Sequence, residues 1–93
     1  MTDEVVTAIT DSIDLHTFRP AECADLVEEY VHAAHAAGLA TVRIIHGKGV
    51  GTLRTITHAV LAKHPCVARF HLDERGNWGA TVVELLVAGA GEQ

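Results

Sequence analysis

The sequence predicts a small α/β domain of order β-α-β-α-β-β, and three observations predict it. Short β-branched runs alternate with longer segments whose apolar residues recur at helical spacing. Residues that start and stop helices bound those longer segments. The 93 residues suffice for one two-layer core and not for a second. No internal repeat, low-complexity tract or long linker interrupts the pattern, so residues 12–88 form the domain, with an N-terminal extension (1–11) and a short C-terminal tail (89–93).

The elements follow in order. "SIDLH" (12–16) alternates Ile13 and Leu15 with Asp14 and His16, the signature of a strand with one apolar face. Pro20 suits the first turn of a helix and Gly38 its end; between them Cys23, Leu26, Val27, Tyr30, Val31 and Ala34 make one apolar stripe. "TVRIIH" (41–46) is β-branched and short, a second strand. Leu53, Ile56, Thr57, Val60, Leu61 and His64 then repeat the helical spacing until Pro65 stops it. "VARFHL" (67–72) is a third strand, "DERGNWG" a polar turn, and "ATVVELLVA" (80–88) a fourth strand.

If the first three strands run one way across the sheet, right-handed crossovers put both helices on one face. Ile13, Leu15, Ile44, Phe70 and Val83 then line the covered face, and Asp14, His16, Arg43, Arg69, His71 and Glu84 the open one.

Composition narrows the partners. Two cysteines, Cys23 and Cys66, no CxxC pair and no basic-then-apolar leader suggest reduced, buried thiols in a cytoplasmic protein. No apolar run approaches the roughly 20 residues that cross a bilayer, so no membrane partner is expected. The net charge of -5 weighs against a nucleic-acid partner, but its distribution does not: residues 30–72 hold five Lys and Arg, six of the seven histidines and no acid, a charge of +5 against -10 elsewhere. That segregation describes either a local cationic patch or charges that folding mixes on one surface.

Chemistry converges at one sheet edge. The first two strands, joined by a helix, run parallel, so Asp14, His16 and His46 arrive at the same carboxyl edge, where ligands of open α/β sheets bind. A carboxylate two residues from an imidazole can orient it as a general acid or base. Taken alone, Asp-x-His is more often a solvated strand face. The three residues could also ligate a metal, although no spacing here matches a structural zinc site.

"HGKGVG" then sets Gly47, Gly49 and Gly51 before a helix N-terminus, where free N–H groups and the dipole attract an anion; Lys48 and Arg54 add charge. The spacing fits neither GxGxxG nor GxxxxGK[ST], which weighs against a familiar nucleotide site, and a plain glycine turn is the alternative to a phosphate contact. Trp78 could stack on a base or cover a core edge. His32 and His35 read as structural or solvated, and His58, Lys63 and His64 as a solvated helix face.

The pairing of "IDLH" (13–16) with "RIIHGKGVGTLR" (43–54), followed by "HPCVARF" (64–70) and "GATVVEL" (79–85), resembles the Smr (small MutS-related) domain. The resemblance implies a two-layer sandwich with a four-stranded mixed sheet and two helices on one face, similar to the C-terminal domain of translation initiation factor 3. It also implies nucleic-acid binding and, in some members, endonuclease activity. The family's D-x-H falls on Asp14 and His16, and its HGxG on His46, Gly47, Lys48 and Gly49. Thr17 stands where many members have glycine.

The expected function is therefore structure-dependent cleavage of DNA or RNA. Asp14, His16 and His46 are the catalytic candidates, and Gly47, Lys48, Gly49, Gly51, Arg54 and Arg43 contact phosphate. A divalent metal, Mg²⁺ or Mn²⁺, is admitted as a cofactor and a homo-oligomer as an assembly. The alternatives are a non-catalytic module docking on structured or branched nucleic acid or ribosomal RNA, and a protein-interaction module.

Overall fold

The computed structural model describes residues 10–47, 51–73 and 79–86. The elements are β1 (Ser12–Asp14), α1 (Pro20–Ala36), β2 (Thr41–Ile45), α2 (Thr52–Lys63), β3 (Val67–Leu72) and β4 (Ala80–Leu85). The predicted order β-α-β-α-β-β is the observed one. Strand ends are shorter than the sequence suggests: β1 stops at Asp14 and β2 at Ile45, because Leu15–Phe18 and His46–Gly47 turn away to build the sheet edge.

The four-stranded sheet has order β1-β2-β4-β3. β1 and β2 are parallel, with Ile13 opposite Ile44, while β4 is antiparallel to both β2 and β3. β2 and β3 therefore also run parallel, and the β1-α1-β2 and β2-α2-β3 connections cross the sheet in the same direction. Crossovers of one hand then put both helices on the same face, where they pack against each other. The hairpin strand β4 slots between β2 and β3, a placement that period and composition do not reveal.

The core lies between that face and the helices. Leu15, Val42, Ile44, Val83 and Leu85 from the sheet side meet Cys23, Val27, Val31, Ala34 and Leu61 from the helices. The α1 stripe is the predicted one, with Leu26 and Tyr30 partly buried along its border. Pro20 occupies the first helical turn, and the Glu22 carboxylate accepts the backbone N–H of Arg19, which satisfies one of the donors that a helix start leaves free. Tyr30 donates from its hydroxyl to the Thr10 carbonyl (2.6 Å), pinning the chain just before β1 to α1.

Both cysteines are free thiols, Cys23 buried and Cys66 half-buried. His64 is not on a solvated helix face. It is 7% exposed, donates from Nε2 to the Glu28 carbonyl, accepts the Cys66 N–H at Nδ1, and packs its ring on His32. The end of α2 is thereby tied to the middle of α1. Trp78 lies outside the described residues.

Candidate functional site

The chain leaves β1 through a turn closed by the Phe18 N–H on the Leu15 carbonyl (2.9 Å), with His16 and Thr17 at its corner. This turn folds His16 back on Asp14. The Asp14 carboxylate accepts both the His16 backbone N–H (3.0 Å) and its Nδ1–H (2.5 Å). The backbone hydrogen bond, then the ring hydrogen bond and its charge, hold the Asp14 carboxyl below the usual carboxylate range. With Nδ1 committed to Asp14, Nε2 of His16 is the ring nitrogen left without a partner among the described residues, and the side chain is 62% exposed. An oriented imidazole with one nitrogen in solvent is what proton transfer to or from a bound molecule requires.

His46 sits differently. Alternation along β2 continues through Val42, Ile44 and His46, so its ring points to the helix side and is only 4% exposed. Its Nδ1 meets the Gly47 carbonyl (3.0 Å) and its Nε2 the Thr81 hydroxyl (2.9 Å). Both ring nitrogens are engaged within the protein, while the residue also lines the cleft described below. The backbone N–H groups of His46 and Gly47 both donate to the Gly79 carbonyl, at 2.9 and 2.8 Å, which anchors the start of the glycine segment to the head of β4. Gly47 takes φ +82°, a conformation that side chains rarely adopt.

Lys48 and Gly49 lie outside the described residues. Gly51 caps α2 with φ +90° and no side-chain cap, and no acid occupies the first turn. Among the described residues no side chain caps the first N–H groups of α2, which carry the positive end of the helix dipole. The Arg54 guanidinium folds back over Gly51, its Nη2 3.2 Å from where a Cβ would stand.

A cleft of about 330 Å³ joins these parts, lined by His16, Phe18, Pro20, His46, Gly51, Thr52 and Leu53. Gly51 and Thr52 also line the adjoining depression that holds Arg54. His16, the α2 N-terminus and Arg54 therefore share one continuous surface. Arg43 does not join them. Its guanidinium pairs with Asp73 (Nε–Oδ2 2.6 Å) on the other face of the sheet, beside Ser12 and Val82. Arg69 pairs there with Glu84 (2.7 Å).

Two contributors were missed by sequence reasoning. Phe18, 40% exposed, forms an apolar wall of the cleft; an aromatic two residues beyond Asp-x-His was the available signal. His58 is half-buried against Phe70 and hydrogen-bonds Thr81, and no local pattern marks it. Among the described residues, no three His, Cys, Asp or Glu side chains gather to hold a metal ion; Asp14, His16 and His46 do not form such a set. None of the described helices is long and apolar enough to cross a membrane.

A two-layer α/β domain carrying an oriented Asp-His pair beside an uncapped helix N-terminus is the class that fold and site define. Residues 13–86 match the Smr domain model, and the chain belongs to the Smr domain family. It is 41% identical over 81 residues to Endonuclease MutS2 of Thermomicrobium roseum and 43% identical over 79 residues to that of Pelotomaculum thermopropionicum. Those stretches cover 85% and 83% of this chain, which spans about a tenth of the length of either relative. The Smr domain of Thermus thermophilus MutS2 superposes with a TM-score of 0.77 at 34% identity, covering 83% of this chain and 99% of that one. YdaL, a stand-alone small MutS-related protein from Escherichia coli, gives 0.73 at 29% identity, covering 81% and 63%.

Proposed function

We propose that this domain binds nucleic acid through its phosphates and cleaves a phosphodiester bond. The observation that carries the reading is the adjacency of the Asp14–His16 pair to the α2 N-terminus and Arg54 along one cleft. A phosphate seated against the first N–H groups of α2 is neutralised by the helix dipole and Arg54. His16, held through Nδ1 by ionised Asp14, takes a proton at Nε2 from the attacking water or hydroxyl. Phe18 supplies an apolar surface for a sugar or base beside the phosphate. The relatives named Endonuclease MutS2 support the same reaction class.

The substrate is DNA or RNA recognised by its structure, since no base-reading element stands out among the described residues. Lys48, Gly49 and Gly47 belong to the proposed phosphate loop; Arg43, paired on the other sheet face, contributes to it least. A second reading, docking without cleavage, is favoured by one observation: with both nitrogens of His46 engaged, His16 is the one acid-base group in the cleft with a free ring nitrogen among the described residues.

The test is cleavage of single-stranded, duplex and branched DNA and RNA, with Mg²⁺, Mn²⁺ or neither. Wild type should cut, and His16→Ala should lose about 10²–10⁴-fold in rate while its affinity stays within a few-fold. Binding without cutting under every condition establishes the docking reading. An affinity indifferent to added salt would remove phosphate contact altogether and point to a protein partner.

A further inference from the structure

Buried His46 and Thr81 form a hydrogen-bonded chain with half-buried His58 that the proposed chemistry does not use. Thr81 is fully buried in β4 on the covered face, and its Oγ1 lies 2.9 Å from Nε2 of His46 and 2.7 Å from Nε2 of His58. The protons can be assigned from one fixed point. The Gly47 carbonyl can only accept, so Nδ1 of His46 carries the hydrogen that reaches it (3.0 Å). In the neutral ring Nε2 then accepts, and the Thr81 hydroxyl must donate to it. The hydroxyl has a single hydrogen, so its contact with His58 is one in which His58 Nε2–H donates. Every hydrogen bond in the chain points the same way, toward the turn.

We propose that Thr81 and His58 are positioning residues for His46. The directed chain from His58 through Thr81 and His46 to the Gly47 carbonyl locks the imidazole, and with it the Gly47 backbone that follows β2. The turn's importance for phosphate rests on the function proposed above; the chain itself does not.

The packing explains why the chain holds one direction. His58 is wedged against Phe70 from β3, ring centroids 5.0 Å apart, and meets His46 edge-on at 6.1 Å. The charged or titratable groups that act on it are His46 at the end of β2 and Arg54 one turn back on α2; Phe70 brings no charge. Burial first, then His46 and Arg54, pushes His58 below the ordinary imidazole value, which favours the neutral ring that the chain requires. Reversing the chain would need His46 to carry a proton at Nε2 and His58 to surrender its own, two linked changes.

The experiment is ¹⁵N NMR of the ring nitrogens in the free protein, for wild type, Thr81→Val and Thr81→Ser. Wild type should show opposite tautomers, hydrogen on Nδ1 of His46 and on Nε2 of His58. Thr81→Val should leave His58 in a mixture and shift the Gly47 amide, and Thr81→Ser should restore both. His46 with hydrogen on Nε2, or a His58 tautomer indifferent to Thr81→Val, overturns the proposal. Should the valine variant not fold, His58→Phe keeps a ring against Phe70 but cannot donate. It should move the His46 Nε2 and Gly47 amide signals, and His58→Gln, whose amide can donate, should return them; unmoved signals overturn the proposal equally.

Affinity for nucleic acid, measured alongside, should fall about tenfold in Thr81→Val, the scale of one hydrogen bond, and recover in Thr81→Ser. The tautomers are read without nucleic acid, so the two ideas fail separately. A wild type that neither binds nor cuts removes the proposed function and leaves the chain standing, whereas normal binding with Thr81-independent tautomers does the reverse.

Discussion

Replacing Gly51 with L-alanine should loosen the start of α2 by an amount that its backbone sets. Gly51 caps the helix at φ +90° and ψ 0°, and an L-residue in the left-handed region costs roughly 1–2 kcal/mol. The new Cβ would stand 3.2 Å from Nη2 of Arg54; that is the far end of a flexible side chain, which can yield by a few tenths of an ångström, so the contact adds little to stability loss. For a domain of this size each kcal/mol lowers Tm by about 4–8 °C, giving an expected fall of about 5–15 °C in a thermal melt followed by circular dichroism. Arg54 is displaced from the cleft rim at the same time, so affinity for nucleic acid should drop as well. Chemical synthesis of a chain with D-alanine at this position is the decisive control, because a D-residue accepts positive φ. The D-alanine protein should melt at or above the wild-type temperature. Equal melting of the L- and D-alanine proteins would refute the assignment of the cost to backbone conformation.

Three further outcomes are expected. Thr57, fully buried in α2, has a hydroxyl with no hydrogen-bond partner among the described residues; Thr57→Val should stabilise the domain by about 1 kcal/mol, and a lower urea midpoint would show that the hydroxyl is satisfied in solution. Tyr30, the one tyrosine, is pushed up to about 12 by burial and then by Asp11. Its folded value lies above its unfolded value, so the stability it contributes is complete below about pH 10 and is lost as pH rises toward about 12. Near-ultraviolet titration of tyrosinate should show that late transition, and Tyr30→Phe should flatten the alkaline stability curve. Asp14→Asn should cut cleavage at least tenfold, because the amide oxygen can still accept from Nδ1 but no longer sets a negative charge beside the ring that gains the proton, while leaving the melting temperature nearly unchanged, since Asp14 is exposed; an active Asp14→Asn protein would remove the acid-base pair from the mechanism.

Local signals reached far into this molecule. The two helices, the four strands and the α1 stripe follow from periods of 3.6 and 2 with Pro20, Gly38 and Pro65 as punctuation, because each such pattern is decided by residues a few positions apart. The Asp14–His16 pair was legible for the same reason: two residues separate them and one turn closes the contact. Alternation through Val42 and Ile44 also carried the buried position of His46, although its histidine chemistry suggested an exposed role. Arg43 and Arg69, which sequence reasoning placed on the open face, are there, but their partners Asp73 and Glu84 come from other strands.

By itself, then, the sequence determined the elements, the apolar faces and the Asp14–His16 pair, all set by neighbours along the chain. Only the tertiary structure decided that β4 lies between β2 and β3, which brings Thr81 beside a histidine 35 residues away and another 23 away. That insertion gives His46, buried at the end of β2, its hydrogen-bond partner Thr81. Strand order is set by how whole faces pack, a sum over distant contacts that no local period encodes.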